Sequence, residues 1–299
     1  LRLYQRCLEA REKLLGPEHP DTLATVANLG MLHRRKGHLE QAEAFLSRCL
    51  EARQRNLGPQ HPATLTTLNN LALVYDDKGD SERARDCYTR CLTSKEDVLG
   101  PLHESTLSTV NNLGLLSIHF GEYEQAENLL SRCLEARLNR LGNLHPKSLV
   151  TLNNLGLLYD KMGEHEKSKE SLIRSLQGRE QLLGAEHPDT LTAVDNLARH
   201  SKDRGNCEQA LSLLKRAWDS SERLLGPVHP DTTERRDRLI SLLSKCKRHK
   251  DAVTISQNAY RVIVAEYGES HPEAMAQLGN QAALHEELGE LEQAKSLYK

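Results

Sequence analysis

Histidine, cysteine and asparagine are the residues of this chain best placed to do chemistry, and all three recur at a single interval. His19, His61, His103, His145, His187, His229 and His271 lie 42 residues apart, and all but His103 stand directly before a proline. Imidazoles are common metal ligands. Each of these, however, belongs to a different copy of a repeat, and packed helices lie about 10 Å apart. One zinc with bonds of about 2 Å cannot be shared across that distance. The pattern therefore predicts helix caps or turn residues, with no metal site. Cys7, Cys49, Cys91 and Cys133 keep the same interval, and Ser175, Ala217 and Ala259 continue it. Exchange with serine and alanine is what a small packing position permits, so these read as buried thiols. Such cysteine usage fits a reducing compartment, and a cytoplasmic setting is expected.

Asn69, Asn111 and Asn153 occupy one register, and Asn28, Asn70, Asn112, Asn154, Asn196 and Asn280 the next. Asparagine is a poor helix former because its side chain competes for backbone hydrogen bonds. Its repetition in mid-helix predicts a use. An amide offers both donor and acceptor, which suits the backbone of an extended peptide, or bonds between neighbouring repeats. No nucleophile stands beside a base and an orienting acid, and no glycine-rich phosphate loop is present. An enzyme, a catalytic residue or a cofactor is not expected.

The elements that must position these residues follow from glycine. Gly16, Gly58, Gly100, Gly142, Gly184, Gly226 and Gly268 are also 42 apart, without an insertion. A chain that repeats one such segment stacks it into a solenoid. The clearest copy runs from Pro59 to Gly100. Leu65, Leu68, Leu71, Ala72 and Tyr75 give a first helix with a broad apolar face, opened by Pro62 and ended by Gly79. Ala84, Cys87, Tyr88, Cys91, Leu92 and Val98 mark a second helix, stopped by Gly100-Pro101. The short turn between them makes the two antiparallel neighbours. Small residues recur on both helices, as Gly30, Ala72, Gly114, Gly156 and Ala198 on the first and Ala42, Ala84 and Ala126 on the second, so the helices should approach closely. Trp218 reads as a core or near-core residue. The expected fold is an all-α solenoid of antiparallel hairpins: a partial helix over 1–15, repeats over 17–58, 59–100, 101–142, 143–184, 185–226 and 227–268, and a truncated repeat over 269–299.

Composition sets outer limits. The 299 residues carry a formal charge of -2 with 27% charged residues. That mixed surface gives no support for general nucleic-acid binding. The run Lys245 to Lys250 is basic and reads as a charged surface turn. No run of apolar residues is long enough to span a membrane. Leu1-Arg2-Leu3-Tyr4 reads as mid-helix, so the chain is expected to be a piece of a longer protein.

Leu-Gly-Pro-x-His-Pro, then Thr-Leu-x-Thr-Leu-Asn-Asn-Leu-Ala-x-x-Tyr, then Gly and Ala-x-x-x-Tyr resembles the 42-residue tetratricopeptide repeat of kinesin light chains and nephrocystin-3. The resemblance covers essentially the whole chain. It implies a right-handed superhelix whose concave groove, lined by the first helices, binds a peptide or extended segment of a partner protein. In kinesin light chains the ligand is a cargo adaptor peptide, often an aromatic flanked by acids. The heptad coiled coil of the light chains does not occur in this sequence.

On that pattern the groove is expected to hold Asn69 and Leu73, then Asn111, Leu115 and Ile118, then Asn153, Leu157 and Lys161. Arg34, Arg35, Arg199 and Lys202 would hold the acids of a ligand. The second asparagine register is assigned to ties between repeats. The sixth repeat departs from the rest, with Asp237-Arg238-Leu239 in place of Asn-Asn-Leu and Lys247 in place of the turn glycine. The expected function is a protein-interaction scaffold or adaptor, with a motor or cytoskeletal complex as its setting and cytoskeletal association as its place. The alternative is a regulatory repeat module acting on a neighbouring domain, such as a nucleotide-binding switch, of a larger protein.

Overall fold

A histidine before a proline can start a helix. The proline ring presets the helical φ, and the imidazole can accept a backbone N–H that has no partner within the helix. The computed structural model, which describes residues 1–298, uses both features. The first helices of the hairpins are α2 (Pro20–Arg35), α4 (Pro62–Asp77), α6 (Glu104–His119), α8 (Pro146–Met162), α10 (Pro188–Asp203), α12 (Pro230–Lys245) and α14 (Pro272–Glu287). The histidine Nδ1 accepts from the amide two residues on, at 3.2 Å for Asp21, 3.1 Å for Ala63 and 3.2 Å for Lys147. The histidine column is thus a set of caps, each ring serving its own helix.

Between them lie the second helices α3 (Leu39–Leu57), α5 (Ser81–Leu99), α7 (Tyr123–Leu141), α9 (His165–Leu183), α11 (Cys207–Leu225), α13 (His249–Tyr267) and α15 (Leu291–Leu297), preceded by α1 (Arg2–Leu15). The fold is all-α, with fifteen helices and no strand among the described residues. Gly100 ends α5 at φ 86° and ψ 158°. That region is essentially closed to side chains, so the 42-residue glycine is required by backbone geometry. Gly79, in the turn after α4, sits in the left-handed region at φ 77°.

Backbone packing groups the chain into two units, Leu1–Met162 and Gly163–Lys299. In the first, the core alternates small and large residues. A Cβ placed on Gly30 would lie 2.7 Å from Leu46 Cγ, and one on Gly114 would lie 2.8 Å from Leu130 Cγ. The glycines therefore let the two helices of each hairpin touch. In the second unit the corresponding first-helix register continues as Ala198, Ile240 and Ala282. Ile240 is the exception, a large side chain where the others are small. The facing register changes in the opposite sense. It holds Leu46, Tyr88 and Leu130 in the first unit and Ser256 in α13, fully buried and bonded to Gln277 O at 3.0 Å. The core of the second unit gathers Leu214, Trp218, Leu239, Ile240, Leu243 and Val253. Trp218 is buried there.

Candidate functional site

The polar residues of the first unit form a ladder between hairpins. Near the end of each second helix a cation turns into the next first helix. Arg53 donates to Ala63 O at 2.9 Å and Thr67 Oγ1 at 2.7 Å. Lys95 reaches Ser105 O at 3.1 Å and Thr109 Oγ1 at 2.9 Å. Arg137 reaches Lys147 O at 3.1 Å and Thr151 Oγ1 at 2.7 Å. Burial alone would penalise these charges, and it pushes the Lys95 amine below its ordinary value. Two oxygens on the next helix offset that penalty. Beside them the thiols of Cys49, Cys91 and Cys133 donate to Leu23 O, Leu65 O and Leu107 O at 3.2–3.3 Å. Burial raises all three thiols above their ordinary value. The sequence reading missed the cation column, although Arg11, Arg53, Lys95, Arg137 and Arg179 share the 42-residue interval.

The asparagines complete this ladder and correct the expectation for them. Asn69, Asn111 and Asn153 are buried, at 9, 5 and 7% exposure. Thr109 donates to Asn69 Oδ1 at 3.0 Å, and Thr151 donates to Asn111 Oδ1 at 3.2 Å. Asn154 Nδ2 adds a bond to Asn111 Oδ1 at 3.0 Å. Asn69 and Asn111, in the register assigned to a ligand, thus join neighbouring first helices. In the register assigned to ties, Asn154 is buried, whereas Asn70, Asn112, Asn196 and Asn280 are half-buried and Asn28 is exposed. The physical reason is direction. Adjacent residues on a helix point about a third of a turn apart, and only the first register faces the threonine of the next repeat.

Elsewhere on the first helices Leu73, Leu115, Ile118 and Leu157 are half-buried, and Arg35 and Lys161 are exposed. Arg34 Nε is bonded to Asp77 Oδ2 at 2.6 Å, so its charge is already matched within the chain. His119 Nδ1 lies 3.7 Å from Asp76 Oδ1. Burial pushes the Asp76 carboxyl up, and the nearby His119 opposes that shift.

The second unit offers a different surface. A cavity of about 560 Å³ opens between α10 and α12. Arg199, Lys202, Arg238 and Lys245 line it, together with Asp231 and Glu234. Its floor is an ion pair, Arg235 Nη2 to Asp195 Oδ2 at 2.9 Å, with both side chains nearly buried. Asp195 Oδ1 is buried without a hydrogen-bond partner. Burial pushes the Asp195 carboxyl above the usual range, and Arg235 opposes it. Arg235 Nη1 also donates to Ser221 Oγ at 2.6 Å. Ser221 and Arg235 hold the registers of Arg53 and Thr67, so the ladder bond is kept with donor and acceptor exchanged. On the rim, Glu234 faces Arg238 at 2.5 Å and Lys202 lies 3.6 Å from Asp203. Arg199 reaches the amide of Asn196 at 3.5 Å, and neither Arg199 nor Lys245 meets a carboxylate within bonding distance among the described residues. Lys245 and Arg238 were not among the expected site residues. Their signal lay in the departures of the sixth repeat.

Stacked antiparallel hairpins tied by side chains at one register define a helical-repeat protein of the interaction class. The chain belongs to the tetratricopeptide repeat family, whose model matches residues 1–55, 23–97, 105–171 and 148–223. As such it is built as a protein–protein interaction scaffold. None of the curated proteins matches it significantly. Among solved structures it is similar to the nearly identical TPR-like repeats assigned to a kinesin light chain of Podosopora anserina. That likeness has 22% identity and a TM-score of 0.56, covering 69% of this chain and 98% of that one. It is similar to BtubC (BKLC) from P. vanneervenii at 22% identity and TM-score 0.61, covering 77% and 92%. It is also similar to a signal transduction ATPase with a tetratricopeptide repeat sensor from Pyrococcus horikoshii, at 16% identity and TM-score 0.68. There the alignment covers 99% of this chain and 43% of that one. Among the described residues no helix is long and apolar enough to cross a membrane.

Proposed function

We propose that the chain is an adaptor that binds an acidic, extended segment of a partner protein along α10 and α12. The observation that carries this reading is the cavity of about 560 Å³, lined by Arg199, Lys202, Arg238 and Lys245, in which Arg199 and Lys245 meet no carboxylate within bonding distance among the described residues. A carboxylate-bearing ligand would match those two charges, and Lys202 and Arg238 would extend the contact. In the first unit, Leu73, Leu115, Ile118 and Leu157 offer half-buried apolar contacts, with the exposed Arg35 and Lys161 beside them. Likeness to kinesin light chain repeats supports a cargo-recognition setting, with a motor or cytoskeletal complex as the larger assembly.

Fluorescence anisotropy with a labelled glutamate-rich peptide tests this reading. The double variant Arg199→Glu, Lys245→Glu should weaken binding by more than about tenfold, a loss on the order of 1.4 kcal/mol. Undiminished affinity in the folded variant would sink the proposal.

A second reading is a sensor module that acts on a neighbouring domain of a larger protein. Likeness to the repeat sensor of the Pyrococcus horikoshii ATPase supports it. A longer form of the protein whose nucleotide hydrolysis is unmoved by deleting the repeats would count against it.

A further inference from the structure

The charges around the cavity between α10 and α12 are unevenly placed. Among the described residues, five cations and three carboxylates line it. Asp231 and Glu234 lie in the opening turns of α12, whereas Arg238 and Lys245 lie towards its end. Arg199 and Lys202 occupy the second half of α10. The Arg235–Asp195 pair sets the register, with residues 40 apart level across the two helices. Arg199 is thus level with Leu239 and Lys202 with Leu242, beside the stretch from Arg238 to Lys245. That stretch is about 10 Å of helix.

In this half of the cavity the positive charge exceeds what the chain itself matches. Glu234 takes Arg238 at 2.5 Å, and Asp195 takes Arg235 beneath. Lys202 has Asp203 at 3.6 Å, with both side chains exposed. Arg199 and Lys245, on opposite walls, meet no carboxylate within bonding distance among the described residues. Both are exposed, and the exposed Ser241 lines the wall of Lys245. A glutamate side chain would bring one charge and two oxygens to this place. A phosphoryl ester brings about -1.5 to -2 charge at pH 7 and three strong acceptor oxygens. One phosphoryl group can take both cations and a hydroxyl at once, with the paired hydrogen bonds that a guanidinium favours.

We propose that the acidic group bound here is a phosphoserine or phosphothreonine of the partner segment, held by Arg199, Lys245 and Ser241, with Lys202 and Arg238 at its rim. The proposal rests on the adaptor reading above, and it makes docking depend on phosphorylation of the partner. The short side chains of those two phosphorylated residues suit cations that stand at the mouth of the cavity.

Three matched peptide pools with randomised flanks and a central phosphoserine, glutamate or serine test the assignment, measured by fluorescence anisotropy beside the glutamate-rich peptide. The phosphoserine pool should bind the folded chain about tenfold more tightly than the glutamate pool, with the serine pool weakest. Arg199→Gln combined with Lys245→Gln, both at exposed positions, should bring the phosphoserine pool down to the level of the glutamate pool, with circular dichroism checking the fold. Equal binding of the phosphoserine and glutamate pools to the wild-type chain would overturn the proposal and leave the adaptor reading standing. Failure of every acidic peptide, the glutamate-rich one included, would remove both. A phosphoserine preference that survives in the folded double variant would overturn the residue assignment. Displacement of the phosphoserine pool by inorganic phosphate or a short oligonucleotide at the pool's own concentration would overturn the proposal too, because the site would then take phosphate without the peptide.

Discussion

The junctions among α4, α6 and α8 and the junction of α10 with α12 place the same chemistry at the same registers in opposite order. In the first, a cation on the second helix meets a threonine on the next first helix, and an asparagine accepts from that threonine. In the second, the cation sits on the first helix as Arg235, its acceptor on the second helix is Ser221, and the asparagine has become Asp195. The core repeats the exchange. Glycine opposite leucine in the first unit gives way to Ile240 in α12 and Ser256 in α13. The sixth hairpin is therefore a rebuilt repeat in which losses at one register are matched by gains at its partner. One consequence is chemical. Arg235 lies on the face between the first helices, where the first unit places a neutral threonine, and the cavity of the second unit surrounds it.

The largest effect expected from breaking this comparison is at Arg235. Arg235→Met leaves the Asp195 carboxylate buried without its partner, and urea unfolding should report a loss of about 3 kcal/mol. The exchange Ser221→Arg with Arg235→Thr recreates the arrangement of the first unit and should recover most of that loss. Next is Gly114→Ile, whose added Cβ falls 2.8 Å from Leu130 Cγ. It should cost about 2 kcal/mol by overpacking, and adding Leu130→Ser, which copies the sixth hairpin, should return part of it. Asn111→Ala removes the acceptor of Thr151 and Asn154, and a stability loss of about 1 kcal/mol is expected on the same denaturation curve. Binding of the glutamate-rich peptide should not change in that variant. The smallest effect has the opposite sign. Lys247 holds the left-handed turn at φ 59°, where other hairpins use glycine, so Lys247→Gly should stabilise the second unit by about 1 kcal/mol.

Much of the fold was legible because its signals are local. A histidine before a proline, a glycine at φ near 90° and a small residue at a helix crossing each act within one repeat, and spacing alone exposed them. The tetratricopeptide architecture followed. The site was less legible because it depends on which of two adjacent helix positions faces the next repeat. Asn69 and Asn70 differ by one residue and about a third of a turn, and residue type does not separate them. Arg34 looked available to a ligand in sequence, but Asp77 lies in the neighbouring first helix and takes its charge. Arg199 and Lys202 do line a cavity, and the departures of the sixth repeat supplied its other wall.

The central claim is that the docking face lies on α10 and α12, while the asparagines of α4, α6 and α8 serve the solenoid itself. Hydrogen–deuterium exchange of the chain with and without the glutamate-rich peptide tests it most directly. Protection should appear in α10 and α12 and leave α4, α6 and α8 unchanged. Protection centred on the helices of Asn69, Asn111 and Asn153, with none at Arg199 and Lys245, would contradict it.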